Sequence, residues 1–160
     1  MALDMFIKIE GIKGESKDKT HKDEIDVLSW SWGMSNSGTA HVGGGSGAGK
    51  VNVQDLSFTK YIDKSSPDLM LGSCDGKHFD KATLVVRKAG ETPLEYLTIT
   101  MNEILVTSVS TGGSGGEDRL TENITINFSK VQVDYVEQAA KGTKAATPSM
   151  TWDIAQNSKD

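Results

Sequence analysis

The sequence predicts a mainly β domain with one short helix on its flank. Three observations predict it. Apolar residues recur with a period of two along most of the chain. β-Branched and aromatic residues fill these runs, as a half-buried pleated surface prefers. Glycine-rich stretches separate the runs, and a single segment carries the signature of a helix start.

The elements follow in order. Met5, Ile7 and Ile9 alternate, and Gly11 stops that run. Ile25, Val27, Ser29 and Ser31 alternate with Asp26, Leu28, Trp30 and Trp32. One face of this strand is therefore tryptophan, and the other is small and polar, with Gly33 at its end. The glycine run from Gly43 to Gly49 lies between two alternating segments, which is a hairpin signal. Val51 and Val53 continue the alternation, which slips at Gln54–Asp55 before Leu56 and Phe58. Leu84 and Val86 form the next run. Leu97, Ile99 and Met101 follow, with Ile104, Val106 and Ser108 close behind. Ile124, Ile126 and Phe128 alternate, the phase slips again, and Val131, Val133 and Tyr135 take over. Met150, Trp152 and Ile154 make a last strand. A slip of one residue swaps the faces of a strand, so each slip predicts a bulge or bend, and such bends help a sheet close into a barrel.

The helix is expected from Ser65-Ser66-Pro67-Asp68, which gives a cap, a proline at the first helical position and an acid in the first turn. Leu69, Met70, Leu71 and Cys74 would form its apolar patch, and Gly76 would end it. Thr111 to Gly116 reads as a second glycine-rich loop, Ala89 to Pro93 as a turn, and Ala139 to Ser149 as a small, polar connector.

A chain of 160 residues suits one domain, spanning 1–160. Only 36% of its residues are hydrophobic, which fits sheets that are partly polar on both sides, as a ring or channel requires. The formal net charge of -5 and the absence of a basic run argue against nucleic acid and anionic membranes as partners. A lone cysteine, Cys74, permits no intramolecular disulfide. The start, MALDMFIKIEGIKG, does not read as a secretory signal, and no stretch is apolar enough for a spanning helix. The expectation is a chain made in the cytoplasm that would leave the cell only by a route ignoring N-terminal signals.

Chemical motifs are few. GGGSGAGK, at Gly43, Gly44, Gly45, Ser46, Gly47, Ala48, Gly49 and Lys50, nearly matches a phosphate-cradling loop. That chemistry needs a Ser or Thr after the lysine for magnesium, and a helix whose N-terminal amides face the phosphates. Here Val51 follows, then a strand pattern. Nucleotide binding is not expected. His21, His41 and His78 are far apart, and Cys74 with His78 reads better as a core cysteine and a solvated histidine than as metal ligands. Glu117, Asp118, Arg119 and Glu122 read as a solvated loop cluster, since calcium loops space their acids differently. No Gly-x-Ser-x-Gly elbow occurs, and Ser108 and Ser110 read as strand-end hydroxyls. No catalytic residue, cofactor or metal is expected.

Taken together, MFIKIEGIKGESKDKTH, EIDVLSWSWGMSNSG, GAGKVNVQDLSFTKYIDKSSPDLM, GKHF, TLVVRKAG and VSTGGSGGEDRLTENITINFSKVQVDY give the chain a family likeness. It resembles the haemolysin-coregulated proteins, the tail-tube subunits of bacterial type VI secretion. The resemblance reaches Tyr135, and Ala139 to Asp160 match only in outline.

The resemblance implies a small antiparallel β-barrel with one flanking helix, similar to phage tail-tube proteins. It implies homo-hexameric rings that stack into a tube, which a contractile sheath expels with its spike. It also implies export by the type VI route and small effector proteins held in the lumen. On that footing Ser29 and Ser31 are expected to face the lumen, and Gly43 to Lys50 to project towards the neighbouring ring. The contrasting readings are a monomeric β-barrel holding a small ligand inside and, further off, a nucleotide hydrolase.

Overall fold

The structure is a computed structural model and describes residues 2–37, 50–90, 93–137 and 147–159. Among the described residues the strands are β1 (Leu3–Ile9), β2 (Ile25–Asp26), β3 (Ser29–Ser31), β4 (Met34–Asn36), β5 (Val51–Val53), β6 (Leu56–Tyr61), β7 (His78–Lys88), β8 (Leu94–Thr111), β9 (Thr121–Asn127), β10 (Lys130–Tyr135) and β11 (Ser149–Asp153). The helix α1 (Ser66–Asp75) sits between β6 and β7. The main sheet runs β2-β1-β7-β8-β9-β6-β3, with β10 beside β8 and β11 beside β10, while β4 and β5 form a separate hairpin.

The sheet curls because its two end strands are neighbours in the chain. β2 pairs with β1, and β3 pairs with β6. Between them the Val27 N–H donates to the Met5 carbonyl at 2.9 Å and the Leu28 N–H to the Thr59 carbonyl at 2.8 Å. The run predicted as one strand is therefore two short ones, since the chain changes pairing partner at Val27–Leu28. The expected barrel is corrected in one respect: among the described residues no ladder of paired strands closes it, and the seam is crossed by this segment of chain.

Elsewhere two predicted runs fuse. Leu97–Met101 and Ile104–Ser108 belong to the single strand β8, which changes partner on one side from β10 to β9 near Glu103. Glu103 takes a left-handed φ of 57° there, and the inward-facing set shifts from Ile99 and Met101 to Ile104 and Val106. A register shift between Val106 and Ser108 marks a second bulge. Inside the curl, Ile7, Leu56, Phe58, Leu84, Met101 and Ile124 are fully or almost fully buried. The interior is packed side chain, not a hollow barrel.

Helix α1 lies where expected, with Pro67 in its first turn and Gly76 ending it at φ 70°. Two details differ from expectation. Ser65 does not cap with its side chain; the Asp63 carboxylate accepts from the Ser65 N–H at 2.9 Å instead. The inward stripe is Ser66, Leu69 and Gly72, while Leu71 and Cys74 are exposed. Gly72 lets the helix approach the sheet, because a Cβ there would stand 3.1 Å from the Phe79 ring. Cys74 is thus not a core residue, since the closest approach of helix to sheet falls on Gly72.

One ionic cluster lies in the interior. Lys60 and Glu122 occupy inward positions of β6 and β9 and face each other in register. The Lys60 Nζ donates to Glu122 Oε1 at 2.5 Å, to Asp63 Oδ1 at 3.1 Å and to Ser66 Oγ at 3.1 Å. An ammonium has three donors, and each has an acceptor here. Ser66 Oγ in turn donates to Glu122 Oε1 at 2.5 Å. The expected solvated acidic cluster is corrected accordingly: Glu122 is buried in β9, and Arg119 stacks 3.7 Å over the Tyr61 ring.

A second cluster pins residues 10–24 to the sheet. The Arg87 guanidinium donates to both Asp18 oxygens, at 3.1 and 2.6 Å, and to Asp4 at 3.2 Å. The hydrogen bonds from Arg87 hold the Asp18 carboxyl well below its ordinary range. The folded state therefore keeps Asp18 charged where the unfolded chain would protonate it. That stabilisation is complete above the unfolded value of about 3.9 and drains away as pH falls further. Asp26 acts with the opposite sign, because burial raises its carboxyl and favours a proton in the folded state. Asp18 has the larger shift and dominates. Asp18→Asn is expected to lower the melting temperature at neutral pH and to flatten the acid loss below about pH 4. Melting curves across the acid range check this, and an unchanged acid limb would count against the cluster.

Candidate functional site

The strand register assembles a polar face on the outside of the curl. Ser29 pairs with Thr59, Thr59 with Asn123, and Asn123 with Ser110. Ser31 pairs with Ser57, Ser57 with Thr125, and Thr125 with Ser108. Two parallel rows of small, uncharged side chains thus cross β3, β6, β9 and β8. Ser29, Ser31, Ser108, Ser110 and Asn123 are exposed, and Ser57, Thr59 and Thr125 are half-buried.

The period of two explains the face. Between the two polar rows lies an apolar one: Trp30 pairs with Phe58, Phe58 with Ile124, and Ile124 with Val109. These residues point inwards and fix the phase of their strands. The outward positions are then left to hydroxyls and an amide. Thr59 Oγ1 donates to Asn123 Oδ1 at 2.6 Å, and the Ser108 and Thr125 hydroxyls lie 2.7 Å apart. The face ends at Asp55, which accepts from Thr107 Oγ1 at 2.7 Å and from Asn127 Nδ2 at 2.9 Å. Such a surface offers hydrogen bonds to water or to a polar partner, and neither a broad apolar patch nor a strong field.

Ser29 and Ser31 sit at the β3 end of these rows and are exposed, with the half-buried Trp30 packed against the core behind them. Trp32 is also half-buried, and its indole N–H donates to the Gln54 carbonyl at 2.8 Å. Sequence reasoning missed Ser57, Thr59, Asn123 and Thr125. Their signal is polar alternation without lysine, arginine or glutamate, as in LSFT and NITIN, but only the register joins the segments.

Gly43 to Gly49 lie outside the described residues, and Lys50 is exposed. The strands on either side of the run pair antiparallel, Met34 with Val53, Ser35 with Asn52 and Asn36 with Val51. The stretch after Lys50 is thus a strand, and the helix that a phosphate loop requires is absent from that position. Among the described residues no group of three His, Cys, Asp or Glu is placed to hold a metal.

A family model described as "Type VI secretion system effector, Hcp" matches residues 6–135. The chain is 67% identical to Protein hcp1 of Pseudomonas aeruginosa over 159 residues, 98% of each chain. The chain belongs to the Hcp family. It is a subunit of the type VI secretion tube, and Hcp proteins are secreted by that system. Among solved structures, Hcp1 from Salmonella typhimurium superposes with a TM-score of 0.82 at 38% identity, covering 100% of both chains. A type six secretion system protein superposes with a TM-score of 0.92 at 29% identity, covering 99% of this chain and 100% of the other. The Hcp fold is thus the curled antiparallel sheet with its single described helix, and the likeness to hcp1 extends past Tyr135 into the final strand.

Proposed function

We propose that this Hcp chain acts as one tail-tube domain, closes with five copies into a ring, and stacks in the tube with its hydroxyl face lining the lumen. The two uncharged rows across β3, β6, β9 and β8 carry this reading. A conduit for protein cargo must wet an extruded or folded chain without holding it. Hydroxyls and amides exchange hydrogen bonds with water at small net cost, about 0.5–1.5 kcal/mol each. Lysine-rich or apolar walls would bind more strongly and less evenly.

Effector proteins are the proposed cargo, and Ser31 is the proposed contact. The glycine-tipped hairpin that joins β4 to β5 is proposed to meet the next ring, with sheath and spike as the outer partners. Lys50 would then face a neighbour's carboxylate or water. No catalytic step is assigned to any residue.

Ser31→Gln places a longer amide on the face without disturbing the row behind it. The ring is expected to persist while effector recovery falls about tenfold, the size of a 1.4 kcal/mol loss. A pull-down that recovers effector at the normal level from intact rings would reject Ser31 as a contact.

A further inference from the structure

Residues 10–24 form a strap that joins β1 to β2 and covers the outward face of β1. Phe6, on that face, is 5% exposed. Backbone bonds close the strap on itself: the Gly14 N–H donates to the Asp23 carbonyl at 2.8 Å, and the Ser16 N–H to the Glu24 carbonyl at 2.9 Å. Two of its side chains reach the strands beyond β1. Asp18 holds Arg87 of β7, and His21 holds Glu95 of β8.

The His21 ring is buried and stacks on Phe6, with 4.4 Å between ring centroids. Both of its nitrogens face carboxylates. Nδ1 lies 3.0 Å from each oxygen of Glu24, and Nε2 lies 2.5 Å from Glu95 Oε1. An ionised carboxylate only accepts, so both nitrogens must donate, and a ring with two N–H groups is an imidazolium. The other charges near the ring agree. Asp18 of the strap accepts the His21 backbone N–H at 3.2 Å. Arg87 of β7 is engaged by Asp18 and by Asp4 of β1, so its charge is matched. Lys22 and Asp23, next in the chain, are exposed.

We propose that His21 is a proton-operated latch that fastens the strap to β8. Loss of one ring proton sets a nitrogen lone pair against a carboxylate oxygen, and one of the two links must open. The Glu24 side chain is 14% exposed and presents both oxygens to the ring, whereas Glu95 is 39% exposed and can turn into water. The link that opens is therefore the one to β8. The folded arrangement requires the second ring proton and the unfolded chain does not. This link therefore adds stability at low pH and loses it as pH rises. The Asp18–Arg87 anchor has the opposite sign and fails in acid. The strap is fastened at both points only in the interval between those losses, whatever the state of assembly.

Trypsin cleavage at Lys17, Lys19 and Lys22, all exposed, tests the latch. Rates are followed by mass spectrometry from about pH 5 to about pH 9, a span that brackets the ordinary imidazole range. Each is divided by the rate for a free peptide of the same sequence. The wild-type ratio is expected to rise at least about tenfold towards the alkaline end, as loss of a charge-assisted hydrogen bond does. His21→Gln keeps a side-chain amide that does not titrate, and its profile should be flat. Glu95→Gln should flatten the rise too, because its amide can donate to the bare ring nitrogen. A flat wild-type profile, or a rise that persists in either variant, would overturn the latch. Should the variants not fold, nitrogen NMR of the wild-type ring decides. Two protonated nitrogens at the acid end and one at the alkaline end support the latch. A ring that keeps the same number of protons throughout overturns it.

Discussion

Lys60→Met is expected to destabilise the protein by about 3–5 kcal/mol, the usual result of removing one partner from a buried ion pair. Lys60 and Glu122 are 0% and 1% exposed, so water cannot replace the lost charge. Without the ammonium, Glu122 keeps a donor only in the Ser66 hydroxyl, and Asp63 lies close by. Helix α1 is held to β6 and β9 through the same groups, so its N-terminus should loosen first. The double variant Lys60→Met/Glu122→Leu is expected to recover most of the loss, because two well-packed apolar side chains can replace a buried pair at little cost. Urea unfolding of both variants decides the matter. A loss below about 1 kcal/mol for Lys60→Met, the range of exposed pairs, would mean that the pair is solvated.

Phe58→Ala is expected to cost a similar 3–5 kcal/mol through the transfer and cavity terms of a truncated core aromatic. Phe58 is 1% exposed and stands directly between Trp30 and Ile124 in the row behind the hydroxyl face. For a chain of this size each kcal/mol shifts the melting temperature by about 2–4 °C, so a fall of order 10 °C is expected. The functional consequence is separable from stability. With the support of β3 removed, Ser29 and Ser31 lose their fixed positions, and effector retention should fall even well below the new melting temperature. Normal retention at that temperature would show that the face tolerates movement of its backing row.

Much of the fold was legible because period-two alternation reports which face of a strand is buried. LSFTKY shows it well: Leu56, Phe58 and Lys60 point in, while Ser57, Thr59 and Tyr61 point out. The same stretch shows the limit. The predicted alternation stopped at Phe58 and did not place Lys60, whose burial depends on its register partner Glu122 far along the chain. The partner-strand change at Val27–Leu28 and the fusion of two runs at Glu103 were illegible for a related reason. Both depend on which distant strand offers its backbone, and no local signal carries that. Cys74 was misplaced because helical spacing names several candidate faces, and a glycine at position 72 selects among them by allowing close approach.

The site was legible only in part. Ser29 and Ser31 stand out beside the tryptophans, but their place in a surface comes from strands far along the chain. Thr59, Asn123 and Ser110 join Ser29 through three successive pairings that connect residues 29 to 123 in number. A single polar residue on a strand reads as ordinary solvent exposure. Eight in register, none charged, make a wall.

The most direct test of that wall is its location in the assembled particle. A Cys74→Ser/Ser31→Cys variant, labelled on its single cysteine with a small gold cluster, can be imaged in negative stain. Round rings with the label inside the central hole are the expected result. Rings carrying the label on their outer rim would contradict the assignment of the hydroxyl face to the lumen.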